Sequence, residues 1–117
     1  MIEFKNLTAK KIKREAFAKL YKKIFLKQFE LSLVFAPPAL MSSLNKKYRG
    51  KNKSANVLAF LLEKNRGEIF LNIREKNLPY LFVHGALHLK GYHHKNNKDA
   101  NIMENSEKKL LPLGTPK

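Results

Sequence analysis

Leu78-Pro-Tyr-Leu-Phe-Val-His-Gly-Ala-Leu-His-Leu-Lys-Gly-Tyr-His-His94 is the stretch on which the reading of the whole chain turns. Outside its histidines, Lys90 is its only charged residue. Pro79 fits a first helical turn, where a missing N–H costs nothing. A helix from Leu78 to about Tyr92 would be apolar on nearly every side. Such a helix belongs in the middle of a fold, packed across a sheet. The same stretch holds all four histidines of the chain. His84 and His88 are four residues apart, so they share one helix face and can reach one ion. Gly91 is where the helix should break and swing His94 back toward that ion. Three neutral imidazoles leave the fourth tetrahedral position open, as in a catalytic rather than a structural zinc site. The spacing therefore predicts a metal site of His84, His88 and His94, with His93 beside it in no assigned part.

Working outward, Asn56–Leu62 and Glu68–Asn72 are apolar strands joined through Asn65-Arg66-Gly67, a predicted hairpin. Leu31–Phe35 reads as an earlier strand, ended by Ala36-Pro37-Pro38. Pro38 suits the first turn of a helix running through Met41 and Leu44 to about Tyr48. Residues 48–54, Tyr-Arg-Gly-Lys-Asn-Lys-Ser, form a basic loop. At the start of the chain, Ile2–Lys5 alternates apolar and charged residues as a half-buried strand does. Thr8 is the expected N-cap of a basic amphipathic helix from Lys10 to about Phe29. Its apolar stripe is Ile12, Ala16, Phe17, Leu20 and Ile24. A polar loop after His94 leads to a last helix from about Asp99 to Leu111. The order β, α, β, α, β, β, α, α predicts an α+β fold. It is a small mixed four-stranded sheet packed with about four helices, the histidine site lying on the central one.

A length of 117 residues predicts one domain, 1–117, with one core. Hydrophobic residues make up 44%, enough for a globule and too many for a disordered tail. With no cysteine, any metal must use nitrogen and oxygen ligands. No apolar run approaches a transmembrane length and the N-terminus lacks a signal-peptide pattern, so a soluble cytoplasmic protein with no membrane role is expected. Twenty-four Lys and Arg against nine Asp and Glu give a net charge of +15. A charge this large on a small domain concentrates a polyanion, and nucleic acid is the default partner.

The histidine spacing, His-x3-His-x2-Gly-x2-His, is that of the metzincin metalloproteases. In those enzymes a glutamate follows the first histidine and serves as the general base. Here Gly85 stands in its place. A glycine cannot take a proton, so the spacing of the ligands is kept while the peptidase base is gone.

A second stretch, Leu44-Asn-Lys-Lys-Tyr-Arg-Gly-Lys-Asn-Lys-Ser-Ala-Asn-Val-Leu-Ala-Phe60, resembles the L-N-x-x-Y-R…V-L-S-F segment of the bacterial YbeY family of rRNA maturation endoribonucleases. Gly67-Glu68-Ile69 resembles that family's G-D-I, and His84–His94 its H-G-x-L-H-L-x-G-Y-D-H. The three matches keep the family's order and cover roughly Leu44 to Glu107. The chain departs from the pattern at His93, where the family has Asp. Ala55 and Ala59 replace its Thr and Ser, and the span between the fourth strand and His84 is shortened, with a helix there trimmed or lost.

The resemblance implies a single-strand-specific, metal-dependent endoribonuclease. Its task would be 3′-end maturation of the small-subunit (16S) rRNA and ribosome quality control. It implies zinc at His84, His88 and His94, and it makes Arg49 the functional arginine near the metal. A guanidinium in a basic loop suits bidentate phosphate binding. Lys46, Lys47, Lys51 and Lys53 around it are candidate RNA contacts. The base is open among His93, Glu68 and Glu104, each of which serves as well in a supporting or structural part. Single-stranded rRNA in the small ribosomal subunit is the implied partner, with a ribosomal protein or a ribosome-assembly GTPase as company. Two other classes remain: an rRNA-binding protein with a structural metal, and a metallohydrolase of another substrate class.

Overall fold

The computed structural model describes residues 1–51 and 54–91. In chain order these form β1 (Ile2–Asn6), α1 (Glu15–Ile24), β2 (Glu30–Ala36), α2 (Pro38–Arg49), β3 (Val57–Glu63), β4 (Arg66–Asn72) and α3 (Leu78–Leu89). The fold is the expected α+β mixture, with three helices among the described residues. The fourth expected helix, from Asp99 to Leu111, lies outside them, as do His93, His94 and Glu104.

One sheet carries the strands in the order β1-β2-β4-β3. β1 and β4 both run parallel to β2, while β3 is antiparallel to β4. The two helices between the first three strands are what permit the parallel pairs, since a parallel neighbour needs a crossover. The hairpin then returns β4 to the middle and leaves β3 on an edge. Its turn is Lys64-Asn65, one residue earlier than the sequence suggested. Arg66 and Gly67 are already paired, Gly67 with Leu31 on one side and Leu61 on the other.

The strand alternation sorts the apolar side chains onto two faces. Leu33 and Phe35, in register with Ile69 and Leu71, face α1 and α3. Phe17, Leu20 and Ile24 of α1 and Phe82, Val83 and Ala86 of α3 complete that larger core. Phe17 lies edge-on against both Phe35 and Phe82, with ring centroids 5.3 and 5.6 Å apart. On the opposite face α2 buries Met41 against Leu58, with Phe60 and Phe70 packed beside them.

α1 is shorter than its periodicity suggested. Thr8 does not cap it. The Asn6 carboxamide accepts from the Thr8 backbone and hydroxyl, and its amide donates to the Lys10 carbonyl. Such side-chain bonds offer the backbone a turn in place of a helix. Four cations between Lys10 and Arg14 would also oppose the positive end of a helix, which begins instead at Glu15. Ile12 still packs on the core from outside the helix, whereas Ala16 is exposed. At the other end Phe25 leaves the helix and stacks on Phe29, with centroids 4.5 Å apart.

α3 crosses the sheet as its all-round apolar sequence required. Phe82, Val83 and Ala86 are fully buried. A Cβ on Gly85 would lie 3.1 Å from Val57 Cγ2 and 3.3 Å from Ile69 Cγ2. At the far end a Cβ on Gly67 would lie 2.9 Å from Leu89 Cδ1. Two glycines, one on the helix and one on the strand, thus set how closely α3 lies on β3 and β4. The helix ends at Leu89, short of Tyr92, because Gly91 turns to φ 95° and its N–H bonds back to the His88 carbonyl. Lys90 reaches across to donate to the Ile24 carbonyl, at 3.0 Å, placing its charge at the negative end of α1.

Gly85→Glu would bury a carboxylate against Val57 and Ile69. It is expected to destabilise the fold by about 2–4 kcal/mol, from overpacking and the burial of an unsolvated charge. Urea unfolding measures this, and a midpoint equal to that of the unaltered chain would contradict the close packing of α3.

Candidate active site

His84 and His88 ride one turn apart on α3, which is anchored by its buried neighbours on both sides of each histidine. Their Nε2 atoms converge to 3.1 Å, with ring centroids 4.7 Å apart. Two nitrogens bound to one tetrahedral zinc at about 2.0–2.1 Å would lie roughly 3.3 Å apart. The pair therefore fits as two of the ligands of such an ion. Among the described residues no third His, Asp or Glu joins them. His94, the third expected ligand, lies outside those residues.

The histidines open onto a cavity of about 820 Å³. Its floor is the edge strand β3, from Val57 to Leu61, and the cavity wraps that edge. α3 contributes His84 and His88 from one face of the sheet. From the other face come Asn45 and Arg49 of α2, with Lys51 just beyond it. Arg49 is the last residue of α2 rather than part of a loop. Gly50 ends the helix at φ 67°, and its N–H returns to the Lys46 carbonyl at 3.1 Å. This cap fixes the direction in which the chain leaves Arg49. Cations gathered at a helix C-terminus also oppose its partial negative charge, which steadies the basic last turn Lys46, Lys47 and Arg49.

The lysines divide accordingly. Lys51 lines the cavity, whereas Lys46 and Lys47 are exposed outside it and Lys53 lies outside the described residues. Lys47 instead sits over the Tyr48 ring at 5.2 Å, and Tyr48 meets Phe60 edge-on at 5.2 Å. Glu68 does not line the cavity. It alternates with Ile69 and Leu71, which face α3, and so stands on the α2 side of the sheet in register with Ser32 and Phe60. The structure thus removes Glu68 from the histidines, although the G-D-I resemblance drew attention to it. The glycine of that same motif is the part that matters for the site, since it admits Leu89 and seats the end of α3.

Two asparagines escaped the sequence reading. Asn45 is 2% exposed within α2, one turn before Arg49, and lines the cavity with it. Asn72, also 2% exposed, ends β4. Its amide donates to Ser54 Oγ at 2.9 Å and to the Ala55 carbonyl at 3.1 Å, while its Oδ1 accepts from the Arg74 N–H at 3.1 Å. Ser54 donates onward to the Pro38 carbonyl. One buried carboxamide thereby ties the segment entering β3 to the turn leaving β4. The signal available in the sequence was slight: a polar residue, Asn72, closing the apolar run Ile69-Phe-Leu71.

Known proteins resemble the chain over most of its length. A family profile described as Endoribonuclease YbeY matches residues 2–77 and 67–113. Endoribonuclease YbeY of Buchnera aphidicola subsp. Schizaphis graminum is 35% identical over 122 residues, covering 85% of this chain and 77% of that protein. Its counterpart in Bartonella henselae is 33% identical, covering 70% of this chain and 66% of the relative. That of Ehrlichia ruminantium is 37% identical, covering 69% and 63%. The chain thus spans about three fifths to three quarters of the length of these relatives. The solution structure of a structural-genomics target from Thermotoga maritima superposes with a TM-score of 0.64 at 25% identity, over 94% of this chain and 86% of the other.

Asn72→Ala would leave the Ser54 hydroxyl, the Ala55 carbonyl and the Arg74 N–H without their partner. A loss of about 1–3 kcal/mol in unfolding free energy is expected. Earlier exchange of the Arg74 amide in hydrogen-exchange measurements should accompany it, and unchanged protection there would refute the clamp.

Proposed function

Since the chain belongs to the YbeY endoribonuclease family, we propose that it is a zinc-dependent endoribonuclease that cuts single-stranded RNA at the cavity around His84, His88 and Arg49. One observation supports this reading above the others. His84 and His88 line the same cavity as Arg49, the histidines on the α3 side of the sheet and Arg49 on the α2 side, across the edge of β3. An edge strand leaves room for an extended chain to lie along it between metal ligands and cation.

Each residue then has a part that its chemistry supports. His84 and His88, completed by His94, would hold the ion through their imidazole nitrogens. A zinc ion bound there supplies Lewis acidity toward the scissile phosphate. Arg49 presents a planar fork of donors to the phosphate oxygens. As negative charge builds on those oxygens during displacement, its attraction strengthens, which lowers the barrier rather than merely tightening binding. Lys51 adds a second positive charge to the same wall. The candidate proton acceptors are His93 and Glu104; Glu68, the third, does not line the cavity.

Gly85 explains why peptide hydrolysis is not the reading. A glutamate at that position serves the metzincins as base, but here the position faces Val57 and Ile69 of the sheet and has no room for one. The net charge of +15 favours a polyanionic substrate in the same direction. The substrate proposed is the precursor 3′ end of small-subunit 16S rRNA, in maturation and quality control of the ribosome. The setting is the cytoplasm, and a ribosomal protein or an assembly GTPase is the protein partner. None of the helices among the described residues is long and apolar enough to cross a membrane.

His84→Ala is expected to abolish stoichiometric zinc and RNA cleavage together. Arg49→Glu should keep the zinc and lose about a hundredfold or more in cleavage rate. Metal analysis beside cleavage of a labelled single-stranded RNA, with and without chelator, measures both. Cleavage that persists in metal-free His84→Ala would overturn the reading. RNA binding without turnover in the zinc-loaded chain would make it a binding protein with a structural metal.

A further inference from the structure

A second cavity, of about 760 Å³, adjoins the first, and Ser54 and Asn56 line both. It lies at the short connection from β4 to α3, residues 73–77. Arg74, Glu75, Lys76, Asn77 and Tyr80 form its far side. Arg74 and Lys76 are exposed, and Glu75, partly buried, is the single acid among them. The balance of charge on this wall is therefore positive.

The cations are not on a loose loop. Asn72 accepts the Arg74 N–H through its side chain and the Glu75 N–H through its backbone carbonyl, at 3.1 and 3.0 Å. The same Asn72 side chain donates to Ser54 and Ala55, on the ridge shared by the two cavities. Tyr80 stands one helical turn before His84, its ring tilted by 36° with centroids 6.4 Å apart. A base resting on Tyr80 is thus one ring away from the histidine pair.

Cations that follow a backbone, together with an aromatic ring that takes a base, are the means by which proteins hold single strands irrespective of sequence. We infer that this second cavity is a nucleotide subsite for single-stranded RNA, continuing the strand beyond the histidine cavity, with Tyr80 stacking a base and Arg74 and Lys76 on its phosphates. The inference rests on the proposed ribonuclease reading for the identity of the ligand. The geometry adds what that reading lacks, namely the direction in which the strand leaves the cut site: over Ser54 and Asn56 toward the start of α3.

The test uses the full chain and fluorescein-labelled single-stranded RNAs of about four and about twelve nucleotides, lengths within the range of small-domain site sizes. Fluorescence anisotropy is read in chelator to halt turnover, and cleavage is assayed separately with zinc. Tyr80→Ala and the double variant Arg74→Gln, Lys76→Gln should each weaken binding of the longer RNA by about five- to a hundredfold. Binding of the shorter RNA should change by less than about twofold, and Tyr80→Phe should behave as the unaltered chain. The double variant should also lower the salt slope for the longer RNA by about 1.4, roughly 0.7 for each phosphate it no longer neutralises. Equal weakening at both lengths, or none at either, overturns the subsite. So does a Tyr80→Phe variant as weak as Tyr80→Ala. Length-dependent binding without zinc-dependent cleavage would instead overturn the proposed catalysis and leave the subsite standing. A chain that binds neither RNA overturns both.

Discussion

The close seating of α3 on β3 and β4 is the contact on which the rest depends. It is made possible by the absence of two side chains. Gly85 lets Val57 and Ile69 approach the helix backbone, and Gly67 receives Leu89. Because these contacts lie at the middle and the end of one helix, they define its height, tilt and rotation over the sheet together. His84 follows from that, since it is adjacent to Gly85 on a rigid helix and has no freedom to face elsewhere. The cost of a glycine within a helix, about 1 kcal/mol relative to alanine, is offset here by interdigitation with two β-branched side chains.

The site then arises from an asymmetry in the sheet. β2 and β4 are central and covered on both faces, so they supply core and little else. β3 is an edge, and both α2 and α3 end near it on opposite faces. Side chains from two helices that belong to separate cores thereby meet in one cavity. The arrangement gives each half of the chemistry its own support. Histidines are held by the larger core, and the arginine by a helix end whose polarity favours positive charge. Asn72 adds the remaining constraint by pinning the segment that enters β3.

The amino-acid order by itself determined a good deal. Period-two alternation in Ile2–Asn6 and the apolar runs of the other strands were legible because a strand's faces repeat every two residues. α3 was legible from its lack of any polar side, and its end from Gly91. His84 and His88 were legible as a pair because helical spacing is a local property, and the family motifs around Arg49 and the histidines carried the rest of the functional reading. The α1 boundaries failed for a local reason too: the Asn6 and Thr8 side chains captured the backbone before the helix could start, a bond that periodicity does not register.

Only the tertiary structure decided what depends on which surfaces meet. It put Arg49 at a helix end across the β3 edge from the histidines, and it turned Glu68 to the α2 side of the sheet. It also changed the meaning of Gly85. In the sequence this residue is a missing base, and in the fold it is a contact surface for Val57 and Ile69. Asn45, Asn72 and Tyr80 acquire their parts in the same way. Spacing along a chain reports neighbours on one element, whereas a cavity is built from elements far apart in sequence, and their juxtaposition is set by sheet order and packing distance.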